Sequence, residues 1–224
     1  MANLTARTSA DQAVERFDTP EAAAKYAKSL GGTATHRREM KCILQSLQQL
    51  GAGAQVLDLP CGTGRLLPEL AARGFVVTEA DSSPHMVGLA KDFARQRGLP
   101  VDDKRFLVAN ALKTPFADGQ FDAVVCNRLF HHFTESVVRQ NALEELRRIS
   151  RGVIVASFFC NQSFDGMMFH LKQSMKRKKA DDRIPIARSV FQKDAEAAGL
   201  RVTRWAATRP GISKQWYATM ERAL

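Results

Sequence analysis

The chain has 224 residues, 24.8 kDa, with 45% hydrophobic and 25% charged side chains. That composition excludes a disordered tail, a collagen-like fibre and a disulfide-stapled mini-protein, and the longest apolar stretches, such as VIVASFFC, fall far short of the roughly 20 residues of a membrane span. Net charge is +10, and the excess sits at one end: residues 151–224 carry 14 basic and 6 acidic side chains, whereas residues 51–150 balance at 12 of each. The last third therefore presents a positive surface to some partner.

In chain order, Asp18-Thr19-Pro20-Glu21 reads as a helix start, with a capping side chain, Pro in the first turn and an acid behind it. An Ala-rich run follows to Leu30, where Gly31-Gly32 stops it. A second helix is expected from about Ala34 to Leu50, with Met40, Ile43, Leu44, Leu47 and Leu50 on one face. Together these helices, residues 1–50, read as an N-terminal lid. From there strands and helices alternate. QVLDLP (55–60), FVVTEA (75–80), RFLVAN (105–110), FDAVVCN (121–127) and GVIVASFF (152–159) are strand-like. Helices are expected through Leu66 to Arg73, from Pro84 to Arg97 and from Glu135 to Ile149. The alternation predicts βαβ units and a parallel sheet. Phe164 to Met175 has helical spacing and runs into Lys176-Arg177-Lys178-Lys179, and a helix from Arg188 is stopped by Gly199. LRVTRWAAT (200–208) and KQWYATMER (214–222), joined across Pro210-Gly211, predict an antiparallel hairpin.

The strongest local signal is Asp58-Leu59-Pro60-Cys61-Gly62-Thr63-Gly64, a strand running into a glycine turn and a helix. Gly62 and Gly64 lack Cβ atoms and let backbone pass close beneath a ligand. A dinucleotide fingerprint would place a third glycine where Leu67 stands, which weakens a nicotinamide reading. Asp81 stands at the tip of the second strand, 17 residues past Gly64, placed to accept hydrogen bonds from both hydroxyls of a ribose or to cap the helix that begins at Pro84. Asn110 ends the third strand, as an adenine contact or a plain turn residue. In Asn127-Arg128-Leu129-Phe130-His131-His132-Phe133, at the carboxyl edge of the fourth strand, His131 or His132 can take a proton from an acceptor; packing and local hydrogen bonding are the structural alternatives. Two adjacent histidines without a third ligand at helical spacing make a poor metal site, so no metal is expected. The four cysteines form no CxxC pair, and the N-terminus has no apolar core of a signal peptide, so a cytoplasmic setting is expected.

These segments resemble the class I S-adenosylmethionine-dependent methyltransferases. VLDLPCGTGRLLPEL is similar to their first motif, TEADSSPHMVGLAK to their second, and FLVANALKTPFADGQFDAVVCNRLFHHF to their third and fourth; the likeness covers about residues 50–160. It implies a Rossmann-like α/β fold with a seven-stranded, mostly parallel sheet closed by the hairpin. Residues 51–224 would form the catalytic domain, with 160–199 a basic cap insertion. It also implies S-adenosyl-L-methionine as cofactor, with S-adenosyl-L-homocysteine as product. Asp58 would help hold the methionine amino group, Pro60, Gly62 and Gly64 would line the methionine–ribose portion, and Asp81 with Ser82 would take the ribose. Met86 would pack nearby, Asn110 and Ala111 would flank the adenine, and Asn127 and Arg128 would lie beside the sulfonium. Pro60 stands where the family has its first glycine, and Asn110 where it has an Asp.

For the acceptor, Tyr26 and Arg37 of the lid, His131, and Lys176 and Arg177 of the basic run are the candidate contacts. The basic third fits an anionic or amphiphilic small molecule, an anionic membrane surface, RNA phosphates, or a solvated charge run. Aromatic interleaving is too thin for a single-strand stacking platform, and the (Asp/Asn)-Pro-Pro-(Tyr/Phe) motif of amine-methylating nucleic-acid enzymes is absent after the fourth strand. The expected activity is methyl transfer to an O, N or C nucleophile of a small metabolite; RNA methylation and a non-catalytic cofactor-binding regulatory subunit are the alternatives.

Overall fold

The computed structural model describes residues 7–16, 19–23, 34–175 and 183–223. Its strands are β1 Gln55–Asp58, β2 Val76–Asp81, β3 Phe106–Val108, β4 Phe121–Cys126, β5 Ser150–Phe159, β6 Leu200–Ala207 and β7 Gln215–Arg222. They form one seven-stranded sheet in the order β3-β2-β1-β4-β5-β7-β6. β1 to β5 are parallel, and β7 runs antiparallel to both β5 and β6. The strand order reverses between β1 and β4, and at such a switch point the loops leaving the carboxyl ends diverge and open a crevice.

Helices α1 Ser9–Arg16, α2 Ala34–Ser46, α3 Leu67–Ala71, α4 Pro84–Gln96, α5 Ser136–Ile149, α6 Phe164–Met175 and α7 Arg188–Ala197 surround the sheet, with a further helical turn at 20–23. α4 shows why the local sequence folds as it does. Ser83 is its N-cap and accepts the Met86 N–H, Pro84 opens the first turn, and Met86, Val87, Ala90 and Ala94 supply the buried stripe. Each face of the sheet has its own core. On one face Met40 and Ile43 of α2, Leu67 and Leu70 of α3 and Ala90 and Ala94 of α4 meet Val56, Val77 and Val125. On the other, Ala142, Leu143 and Leu146 of α5 and Phe191 of α7 meet Leu57, Val124 and Ile154, with Ala10 and Ala13 of α1 joining the same cluster.

The element order read from the sequence is the observed one, with differences at the ends. α1 goes unannounced because eight residues, SADQAVER, offer too little apolar periodicity to stand out. β3 stops at Val108 because Asn110 accepts the Leu112 N–H at 2.9 Å and turns the chain. The helix after the glycine turn is five residues long. The expected run from Asp18 to Leu30 is helical at 20–23, and its remainder lies outside the described residues, as does the basic cluster 176–179.

Candidate functional site

At the carboxyl edge of β1, β2 and β4 a partly open cleft forms, the place where open α/β sheets bind small molecules. Asp58 ends β1 on its floor. This side chain is fully buried, and neither carboxylate oxygen has a hydrogen-bond partner among the described residues. Burial, with a smaller contribution from the charge of Asp81, raises its pKa well above the usual carboxylate range, against the opposing pull of Arg65. A buried acid left in this state calls for a donor or a cation from outside the protein.

The turn after β1 then passes beneath the cleft. Gly62 and Gly64 have φ of 56° and 73°, the left-handed region that favours glycine. At Gly64 a Cβ would also sit 3.0 Å from the Ala90 Cβ, so glycine allows the turn to close on α4. Asp81 fastens this turn to the tip of β2. One of its oxygens accepts the Gly62 N–H and the other the Ser83 N–H, each at 2.9 Å. The helix cap is therefore Ser83, and Asp81 keeps acceptor capacity towards the cleft. Burial raises the Asp81 pKa to about 6, and those backbone donors hold it from rising further.

Beside Asp58, the Glu79 carboxylate is fully buried, with the Cys61 thiol as a hydrogen-bonding neighbour. Burial first, and Asp58 second, push its pKa well up. The same burial, with these carboxylates close by, raises the Cys61 thiol and keeps it protonated.

The far wall comes from the end of β4. Asn127 is fixed by two donors, the Tyr217 hydroxyl and the Ser157 hydroxyl, both 3.0 Å from its Oδ1. Arg128 adopts φ 63°, costly for a residue with a Cβ. Its N–H donates to Ser157 Oγ at 2.7 Å, and its guanidinium meets Glu39 at 2.7 Å. Glu39, fully buried on α2, also binds Arg65 at 2.7 Å. Arg65 in turn donates to His36 Nδ1 at 2.7 Å, which leaves the His36 Nε2–H to donate to Glu69 at the same distance. One carboxylate of α2 thus grips both the glycine turn and the β4 end.

His131 and His132 lie on a 3-10 turn, Phe130–His132, and are buried at the other end of the cleft. The His131 ring stacks on Phe159 with centroids 4.1 Å apart and planes at 6°. Burial, followed by the neighbouring His132, Arg183, Arg128 and Lys214, depresses the His131 pKa well below its ordinary value. The ring is therefore neutral, and its Nδ1 has no hydrogen-bond partner among the described residues. Arg139 anchors this loop by donating to the carbonyls of Phe133 and Thr134 at 2.9 Å while paired with buried Asp194 at 2.7 Å.

The cleft lining brings together Asp58, Pro60, Gly62, Asp81, Ser82, Met86, Asn110, Ala111, Asn127, Arg128, His131 and His132. Gly64 lies behind it, against α4. Arg37 is exposed and outside the lining, while Tyr26, Lys176 and Arg177 lie outside the described residues. Sequence reasoning missed Glu39, Arg65, Phe159, Arg183 and the α1 residues Ala10, Ala13 and Val14. Glu39 had a signal: an acid four residues before Ile43 on an otherwise apolar stripe. Among the described residues no cluster of three or more His, Cys, Asp or Glu side chains is arranged to hold a metal ion.

Residues 56–152 match a family described as a methyltransferase domain. Among curated relatives, a demethylmenaquinone methyltransferase of Thermus thermophilus is 43% identical over 100 residues, covering 44% of this chain and 43% of that protein. The human protein named probable tRNA methyltransferase 9B is 29% identical over 134 residues, covering 58% of this chain and 25% of that one. The chain thus spans less than half the length of either. Among solved structures, magnesium protoporphyrin IX methyltransferase from Synechocystis with bound S-adenosylhomocysteine superposes with a TM-score of 0.76 at 15% identity, covering 95% of this chain and 100% of that one.

Proposed function

We propose that residues 56–152, which match a family described as a methyltransferase domain, form a class I S-adenosylmethionine-dependent core, and that this chain moves a methyl group to an O, N or C nucleophile of a small anionic or amphiphilic acceptor. The observation that carries the reading is the partnerless, fully buried Asp58 carboxylate under a left-handed glycine turn that Asp81 fastens. The residues present fit the cofactor. Asp58 would receive the cationic amino group, Gly62 would allow close backbone approach, and Asp81 would accept from the ribose hydroxyls. Asn110, Ala111 and Met86 would border the base. When bound, S-adenosylmethionine supplies a methyl group on a positively charged sulfur.

The chain's own part is positioning, desolvation and proton handling. Asn127, held by Tyr217 and Ser157, and Arg128, held by Glu39, fix the wall beside the reacting centre. Neutral His131, stacked on Phe159, can accept a proton at Nδ1 from an acceptor hydroxyl or amine. Arg183 on the cleft wall suits an acceptor that carries negative charge.

Calorimetry with S-adenosylhomocysteine, followed by a labelled-methyl screen over metabolite pools, tests the reading; absence of both heat and thermal shift would overturn it. An RNA acceptor is the second reading, favoured by the excess of 14 basic over 6 acidic residues in 151–224. RNA affinity that falls steeply with salt, together with methyl incorporation into RNA, would move the assignment there.

A further inference from the structure

Four of the eight large apolar side chains exposed among the described residues lie on α6 or in the turn joined to its base. Phe164 and Met167 on α6 are 61% and 64% exposed, and Ile212 in the β6–β7 turn is 41% exposed. Leu171, one turn further along α6, is exposed as well. Their backbone is tightly held. Phe164 N–H donates to the Gly211 carbonyl at 3.0 Å and Asp165 N–H to the Ile212 carbonyl at 2.9 Å, so the base of α6 and the turn form one platform. A Cβ at Gly166 would stand 2.2 Å from the Cys160 carbonyl oxygen, which shows how closely α6 is seated on the end of β5. Phe164 and Met167 therefore project from a fixed support.

Cations rim this platform. Arg209, in the same turn as Ile212, and Arg183 are exposed, and among the described residues neither has a carboxylate partner. Asp165 is the one acid of α6. Lys214 Nζ lies 4.4 Å from the Phe159 ring centroid and 4.8 Å from that of Phe169, so a single cation joins the cleft wall to α6. Arg183 lines the cleft together with Phe159, the ring that Lys214 links to α6. Apolar side chains ringed by cations, on a basic third of the chain, match the two layers of an anionic bilayer surface, phosphate outside and acyl chain beneath.

We propose that this face docks on an anionic phospholipid surface. Phe164, Met167 and Ile212 enter the headgroup layer, while Arg183 and Arg209 meet lipid phosphates. The orientation turns the Arg183–Phe159 end of the cleft towards the bilayer, where an amphiphilic acceptor would enter; that last step rests on the methyltransferase reading, and the docking itself does not.

Co-sedimentation of the full chain with phosphatidylcholine vesicles, with and without phosphatidylglycerol, tests the proposal. Partition to the anionic vesicles is expected to be roughly thirtyfold stronger, the scale of two interfacial cations. It should fall at high salt, and about tenfold or more in a Phe164→Glu/Met167→Glu variant. Thermal unfolding and S-adenosylhomocysteine calorimetry of that variant should match the parent, since both side chains are solvent-exposed. Arg209→Gln should weaken anionic binding alone. Equal partition to both vesicle types, or an unaltered double variant, would overturn the proposal. So would a doubling of mass in light scattering that the double variant abolishes, which would assign the face to a second copy of the chain. Vesicle binding without nucleoside binding would instead overturn the methyltransferase reading and leave the docking intact.

Discussion

Replacing Asp81 with Asn separates the turn-fastening role of this carboxylate from the ribose-binding role proposed for it. One oxygen of the amide can still accept a backbone N–H, but the other position becomes a donor and faces a donor, so one charge-assisted hydrogen bond of about 1.5–3 kcal/mol is lost. Against this, burial has raised the Asp81 pKa from 3.8 to about 6. Keeping it ionised in the folded protein above that pH costs about 3 kcal/mol relative to the unfolded chain, a cost that Asn removes. The two terms nearly offset, and the midpoint of thermal unfolding at pH 8 should move by only a few degrees, at about 2–4 °C per kcal/mol for a chain of this size. Ligand affinity has no such offset. Loss of a charged acceptor for the ribose hydroxyls should weaken S-adenosylhomocysteine roughly tenfold to 150-fold. The pH dependence carries a second signature. Because the folded pKa is raised, the native protein holds this proton more tightly than the unfolded chain, and the associated stability is lost as pH rises from about 4 to 6. With the ionised Asp81 as the proposed ribose acceptor, its titration should add about a tenfold climb in affinity from pH 5 to pH 7 in the parent, a step that Asp81→Asn removes. Calorimetry across that range measures both. An affinity within twofold of the parent, or a pH step that survives the substitution, would refute the reasoning.

Glu79→Gln keeps the shape of a buried acid whose pKa is pushed well up by burial and by Asp58. Folding stability of the parent falls as pH rises above the unfolded Glu value, and the variant should escape that loss; differential scanning calorimetry should show a gain in melting temperature larger at pH 8 than at pH 5. Arg139→Ala leaves Asp194 buried and unpaired and frees the carbonyls of Phe133 and Thr134. It should cost about 3–5 kcal/mol in urea unfolding, with hydrogen exchange rising first around residues 130–134. His131→Ala should lower kcat without changing S-adenosylhomocysteine affinity by more than about threefold, as the proton-accepting role proposed for it at the acceptor end requires; a parallel loss of nucleoside binding would place it elsewhere.

The sequence displayed its architecture through punctuation: alternating apolar runs, glycine stops and a Pro-Gly turn marked every strand of the sheet. That Asp58, Gly62 and Asp81 share one cleft could be read from the sequence because a strand end and a tight turn place all three at the carboxyl edge of the sheet. Glu39, Arg65 and Arg183 were hard to find because their roles depend on partners far along the chain. Glu39 meets Arg128 across 89 positions, a pairing that no local pattern encodes. Asn110 looked like the end of a strand, yet its side chain bonds the backbone two residues on and ends the strand early, a competition between side chain and ladder.

The pairing of Glu39 with Arg65 and Arg128 has a consequence for how this chain can be cut or recombined. Removing the segment before β1 would strand two guanidiniums at the crevice and release the left-handed kink at Arg128. A transplanted leading helix would need its own acid in register with that kink. Swapping entry segments between homologous cores is thus open here only to donors that carry the same charge at that helical position.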